Sequence, residues 1–368
     1  MEQEVAGGSI TAEWASLQRD LVQLVADCVL STSGVDGYVP MRAVCPSWRS
    51  AVAKPSPHAA VADPRFRPRQ WVVLHGADDD QARPLFLDVS TGRFRRLRRP
   101  VLGDYILIGA SDGLLVLGDR ERPHAARLLN PLTGDMLPFA APIPPEDWVN
   151  TAIVGSEPTI IFAFEPEQSE YQDIPAYCSL QQGSDAVYSA DPTGQLRAVK
   201  FHDAAYDKEN LLYLQSMVTH AGNVYVLICG GTLCKVVWTG GHWYAELIME
   251  IDMPKHCYTG CLVEFAGKLL LVNDKVETIE LLCVDVNRKV LEPIQSIGRC
   301  ALFLSVGKCM VVNADKLPTI MRNCIYMNFN DTTYVCMTSV MVGKHTSPTP
   351  GCLQMVLELK VISFMKAL

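Results

Sequence analysis

Long apolar runs are missing from this chain of 368 residues, and with them any stretch near the ~18 apolar residues that a membrane-spanning helix requires. A surplus of positive charge is missing too. The 32 Lys and Arg residues stand against 40 Asp and Glu, a net charge of −8 with a pI near 5.5, which argues against nucleic acid or an anionic membrane as the main partner. The 13 cysteines include no C-x-x-C pair, so neither a zinc ribbon nor a dithiol redox motif is spelled out. Their odd number and the lack of a leading apolar segment imply reduced thiols in the cytosol or nucleus. In that setting the sequon at Asn330, Asp331 and Thr332 is expected to stay unglycosylated.

Catalytic constellations are equally scarce. Gly109-Ala110-Ser111-Asp112-Gly113 fits the G-x-S-x-G string of hydrolase nucleophiles, but that elbow needs a strand before the serine and a helix after it, and here an apolar strand follows. His256, Cys257 and Cys261 lie close together without a second ligand pair, so packing is the better reading than a metal. Around Gly267-Lys268 the earlier glycine and the following Ser or Thr of a phosphate loop are both absent. Trp71, Trp148, Trp238 and Trp243 are expected to pack within sheets rather than to cage a ligand. No catalytic residue, metal or cofactor is expected, and the chain is not expected to be an enzyme.

What the sequence does contain is repetition. About half of the residues are apolar (49%), enough for a sizeable core in one large or two unequal domains. The stretch from Gly109 to Asp135 reads as a turn at Ser111, Asp112 and Gly113, a strand from Leu114, a second strand ending at Asn130, and a Thr133-Gly134 turn. The first half recurs at Ala221-Gly222-Asn223, at Ala266-Gly267-Lys268 and at Val306-Gly307-Lys308. The second half recurs around Gly92, Gly194, Gly240 and Asn287. Where it is regular the spacing is about 40 to 47 residues, the span of a four-stranded propeller blade. From Gly134 to Gly194 the interval is roughly 60 residues, which implies an insertion placed at the polar loop 165–173. Arg93, Arg95, Arg96, Arg98 and Arg99 would put charge on both faces of one strand, which suits a protected sheet edge.

Ahead of the repeats the chain changes character. Residues 1–13 show no period and are expected to be disordered. Ser16 can cap a helix in which Leu17, Leu21, Leu24, Val25, Cys28 and Val29 form one apolar stripe. Gly34, Asp36 and Gly37 break it, Pro40 suits the start of a second short helix, and Pro46 starts a third. Met41, Val44, Trp48 and Val52 would supply the inward faces. Three helices over residues 14–54 bury little surface by themselves, so the stripe is expected to be covered by another protein or by the following domain. Residues 55–68 read as a linker, 69–330 as the repeat domain, and 331–368 as a divergent tail that could furnish the last blade.

Leu17, Asp20 and Leu21, followed by Val44-Cys45-Pro46-Ser47-Trp48-Arg49, resemble an F-box. Gln18 stands where that motif usually has proline, and the segment Ser31 to Tyr38 is longer than typical. The words GASDGLLVL and LLNPLTG, with Ala301-Leu302-Phe303-Leu304 and Asn323-Cys324-Ile325-Tyr326 further on, resemble the KIB-type domain that large plant families join to an F-box. This resemblance implies a mainly β chain with a short three-helix F-box followed by a β-propeller-like domain of six or seven blades, left imperfectly closed if the tail supplies no strand. It also implies a substrate-recognition adaptor of a Skp1-cullin-F-box ubiquitin ligase. Leu17, Leu21, Leu24, Val25, Val44, Cys45 and Trp48 would dock on a Skp1-like subunit of the cullin complex, and the propeller would hold an unknown target protein. A ligase-independent binding or inhibitory module, and an enzyme with its site in the propeller channel, are the alternatives.

Overall fold

Apolar residues three and four apart build the first elements. The computed structural model of the chain describes residues 14–54, 61, 63–68, 71–74, 85–89, 92–96, 103–122, 124–143, 150–155, 158–163, 187–193, 196–201, 214–228, 230–253, 260–275, 278–305, 308–317, 320–329, 332–337 and 366–367. After a 3-10 turn at Trp14–Ser16, helix α1 runs over Arg19–Met41 and α2 over Pro46–Ala51. Gly34 breaks α1 with φ 65° and ψ −166°, a conformation that glycine adopts without a Cβ clash. The expected first and third helices are present, but the second, expected from Pro40 onward, is not: residues 42–45 are non-helical, and Gly34 instead splits α1 into two segments, with Asp36 and Gly37 inside the later one. Gln18, not Ser16, precedes α1 and makes no side-chain cap, and Pro40 lies inside the final turn of α1 rather than opening a new helix. Gly34 already supplies the break, so the missing Pro40 N–H removes one rung from a segment that ends a residue later. Pro46 does open α2, where the Cys45 sulfur accepts from the Trp48 N–H at 3.4 Å.

Strands make up the rest of the described chain. The first sheet contains β1 Trp71–Leu74, β2 Leu85–Asp88 and β3 Arg93–Arg96. The second is β4 Tyr105–Ser111, β5 Leu114–Asp119, β6 Ala125–Leu129 and β7 Met136–Pro142. The third is β8 Asn150–Val154, β9 Thr159–Ala163, β10 Val187–Ala190 and β11 Leu196–Ala198. Short β12, Lys200–Phe201, then joins the outer side of the fourth sheet, β13 Leu214–His220, β14 Asn223–Ile228, β15 Thr232–Thr239 and β16 His242–Glu250. The fifth is β17 Cys261–Phe265, β18 Lys268–Lys275, β19 Thr278–Asp285 and β20 Val290–Pro293. The sixth is β21 Cys300–Ser305, β22 Lys308–Asn313, β23 Cys324–Phe329 and β24 Thr332–Met337. Finally β25, Lys366–Ala367, pairs antiparallel with β1 and becomes the inner strand of the first sheet.

The repeated words have direct structural meaning. In the second, fourth and fifth sheets the first two strands join at Asp112-Gly113, Ala221-Gly222 and Ala266-Gly267, every residue with positive φ, as a two-residue type I′ hairpin requires. The second recurring word forms the hairpin between the last two strands of a sheet, as at β6–β7 and β15–β16. The string around Ser111 is thus strand, turn, strand, with β5 where a hydrolase would place a helix. Residues 165–173, the predicted insertion loop, fall between β9 and β10 and lie outside the described residues.

Each sheet buries both faces. Leu114, Val116 and Leu128 pack with Ile160 and Phe162 of the third sheet, while the alternate Leu115, Leu117 and Leu129 pack with Trp71 and Phe86 of the first. The same alternation joins the remaining neighbours. Inner strands β25, β4, β8, β13, β17 and β22 lie each against the next and back to β25, so the chain closes a propeller with its own tail rather than leaving an open edge. The first, second, third and fifth sheets are wholly antiparallel, and in the fourth only the added β12 runs parallel to its neighbour, β16. The sixth differs from the regular blades expected: β22 sits innermost and β21 second, so that β21 pairs parallel with β23. The connection through a 3-10 turn at Ala314–Lys316 carries the chain from the inner strand back across the sheet.

Candidate protein-docking face on the helical module

Both rows of α1 are apolar, and tertiary packing chooses between them. Val22 and Ala26 turn inward onto Tyr38, Met41, Trp48, Ala51 and Val52, with Phe66 of the linker completing the core. The neighbouring row is left outside: Leu21 is 43% exposed, Leu24 67% and Val25 38%. Of the nine large apolar residues that the described chain leaves exposed, six (Trp14, Leu21, Leu24, Val25, Val39 and Val44) stand on this small module. Such a concentration exceeds ordinary surface scatter and makes this face the candidate docking surface.

The seven candidate docking residues divide accordingly. Leu21, Leu24, Val25 and Val44 lie on the surface, and Leu17 is half-buried against the module core. Trp48 faces inward, as expected of it: it is 8% exposed and its Nε1 donates to the Trp14 carbonyl at 2.8 Å, so it holds the module together from inside and offers little surface for docking. Cys45 packs on the same core and caps α2. Val44, expected to face inward, is exposed instead. Trp14 and Val39 escaped the sequence reading because they stand outside the stripe, and only their exposure draws attention to them.

The module is pinned to the propeller through Val61 and residues 63–68. Phe66 buries its ring against Tyr38, 5.6 Å away centre to centre, while its carbonyl accepts from Asn130 Nδ2 at 2.9 Å. The buried Arg67 guanidinium pairs with Asp112 and its Nε donates to the Val61 carbonyl at 3.0 Å. Gly113 permits this seat, since a Cβ there would lie 2.5 Å from the Pro68 carbonyl oxygen. Asp63 caps the 3-10 turn Pro64–Phe66, and the Arg65 guanidinium bonded to it holds its carboxyl below the usual range. Burial raises the Tyr38 phenol, whose hydroxyl donates to the Ala53 carbonyl at 3.0 Å.

Other candidates resolve into packing. Trp71 packs within the first sheet beside Phe86, the two rings tilted and 5.8 Å apart centre to centre. Trp238 departs from expectation: it is exposed, tilted against Trp243 and covered by the Arg197 guanidinium at 5.3 Å. Two bulky indoles paired across one hairpin cannot both enter the same core face. Arg93 lies exposed on β3, the outer edge of the first sheet, as its charge requires. Cys261 is buried beside Ser216, and hydrogen bonding from Cys309 lowers its thiol, whereas burial raises that of Cys309. No group of three His, Cys, Asp or Glu among the described residues is arranged to hold a metal. Trp148, His256, Cys257, Arg98 and Arg99 lie outside the described residues, as do residues 1–13.

A family model described as the KIB1-4 beta-propeller matches residues 86–347. The chain belongs to this family. In this KIB1-4 beta-propeller chain the match opens in β2 and runs past β24, while the helical module lies before it. The family supports the propeller recognised in the repeats, a fold suited to gripping proteins. No curated protein sequence matches. Among solved structures, similarity extends to a nidogen/laminin complex, with 11% identity over 73% of this chain and 84% of that one and a TM-score of 0.34. It extends also to the WD40 domain of SCAP from fission yeast, at 11%, 77%, 72% and 0.32, and to the computationally designed Ika8 protein, at 12%, 76%, 89% and 0.32.

Proposed function

We propose that this KIB1-4 beta-propeller chain is a substrate-recognition adaptor of a Skp1-cullin-F-box ubiquitin ligase, with the helical module as its F-box and the propeller as receptor for a target protein. The observation that carries the reading is the exposed row Leu21, Leu24 and Val25 on α1, beside a separate row already used for the module's own core. A helix that needs only one apolar row to fold has a second row available for a partner's groove. The pins at Phe66 and Arg67 support a fixed spacing between the two ends, which an adaptor needs to hold its target near a ubiquitin-charged enzyme. The adaptor performs no chemistry of its own and works by raising effective concentration in the cytosol or nucleus.

Pull-down with a Skp1-like protein tests this. Wild type is expected to bind, and Leu24→Asp to lose binding while its melting temperature stays unchanged, because Leu24 contributes nothing to the module core. Failure of the wild type to bind would remove the adaptor reading and favour the ligase-independent module, to which Gln18 at the entry of α1 points.

A further inference from the structure

The helices and the second sheet leave an open cleft of about 670 Å³ between them, lined by Val39, Leu132, Arg42, Arg49, Lys54 and Asp135 among others. Three cations thus meet one carboxylate, in a chain whose net charge is −8. The Arg42 guanidinium donates to the Val52 carbonyl, and Arg49 Nε donates to the Arg42 carbonyl at 3.0 Å. Both arginines are therefore held in place by backbone oxygens, and no ion pair to a carboxylate joins them among the described residues. Their positive charge stays available to an incoming ligand.

The lining selects among anions. A compact phosphate would leave Val39 and Leu132 wet and would face the like charge of Asp135. A peptide with carboxylates beside Leu or Val side chains satisfies every wall: its carboxylates meet the cations, its apolar side chains cover Val39 and Leu132, and a backbone N–H can donate to Asp135. We propose that this cleft binds an acidic peptide segment with interspersed apolar residues, contributed by a partner protein. The site goes beyond the docking reading above, because Leu21 and Leu24 do not line it, so either can fail without the other.

Fluorescence anisotropy with the full chain and a labelled peptide of alternating Glu and Leu provides the test. Binding is expected to weaken as salt rises, to fall several-fold in Arg49→Gln/Lys54→Gln, to persist in Lys54→Arg and to be unchanged in Leu24→Asp. Thermal melting verifies that the double variant is folded. If it is not, Lys54→Gln alone serves, since that side chain is exposed. Absence of peptide binding, full affinity in Lys54→Gln, or displacement by inorganic phosphate as effective as by unlabelled peptide would each overturn the proposal.

Discussion

Asn130 has no exposed surface, yet every part of its side chain is used. Its Nδ2 donates to the Phe66 carbonyl, and its Oδ1 accepts from Leu132 N–H at 3.0 Å inside the turn that leads into β7. Asn130→Leu would remove the donor to the Phe66 carbonyl and the side-chain acceptor of the Leu132 N–H. It is expected to lower unfolding stability by about 1–3 kcal/mol, measured by urea denaturation. The cysteines offer a second test at this scale. Burial pushes the Cys234 thiol up to about 12, so below that pH it stays a thiol and lacks the nucleophilic form. Iodoacetamide at about pH 8, near the ordinary thiol range, is expected to label the exposed Cys28 in the native protein and to leave Cys234 unmodified until denaturant is added, as read by peptide mass spectrometry.

Among elements, the recurring hairpins show where local sequence is sufficient. Asp112, Ala221 and Ala266 precede Gly113, Gly222 and Gly267 with φ of 49°, 48° and 50°. Only short polar side chains reach that region with little strain. Asp112 suits its place, whereas the two alanines do not. Ala266→Asn should therefore raise stability by about 0.5–1 kcal/mol, visible as a higher melting temperature. Open space around Gly267 and the exposed turn leave room for the new side chain. Helix α1 shows the opposite case. Its sequence carries apolar residues on adjoining rows, and helical periodicity alone cannot tell the buried pair Val22 and Ala26 from the exposed pair Leu21 and Val25. Packing of α2 and the linker on one side settled which row was buried.

For the whole molecule, closure rests on a short pairing far apart in sequence. Val72 and Val73 face Ala367 and Lys366, so β25 lies between β1 and the inner strands β4 and β22. Removing residues 366–368 exposes the edge of β1 and separates two neighbouring sheets. The truncated chain is expected to melt at lower temperature and to aggregate more readily, checked by calorimetry and light scattering.

The sequence alone determined what depends on near neighbours: hairpins with positive φ, apolar strands following them, the break at Gly34, the start of α2 at Pro46 and the propeller recognised from its repeated words. Tertiary structure decided what depends on distant partners. It placed Val44 and Leu24 outside, swapped the first two strands of the sixth sheet, and brought Lys54 and Asp135 to the lining of one cleft. Burial is a property of what a residue meets after folding, and the partners of these residues lie too far along the chain for local pattern to specify them.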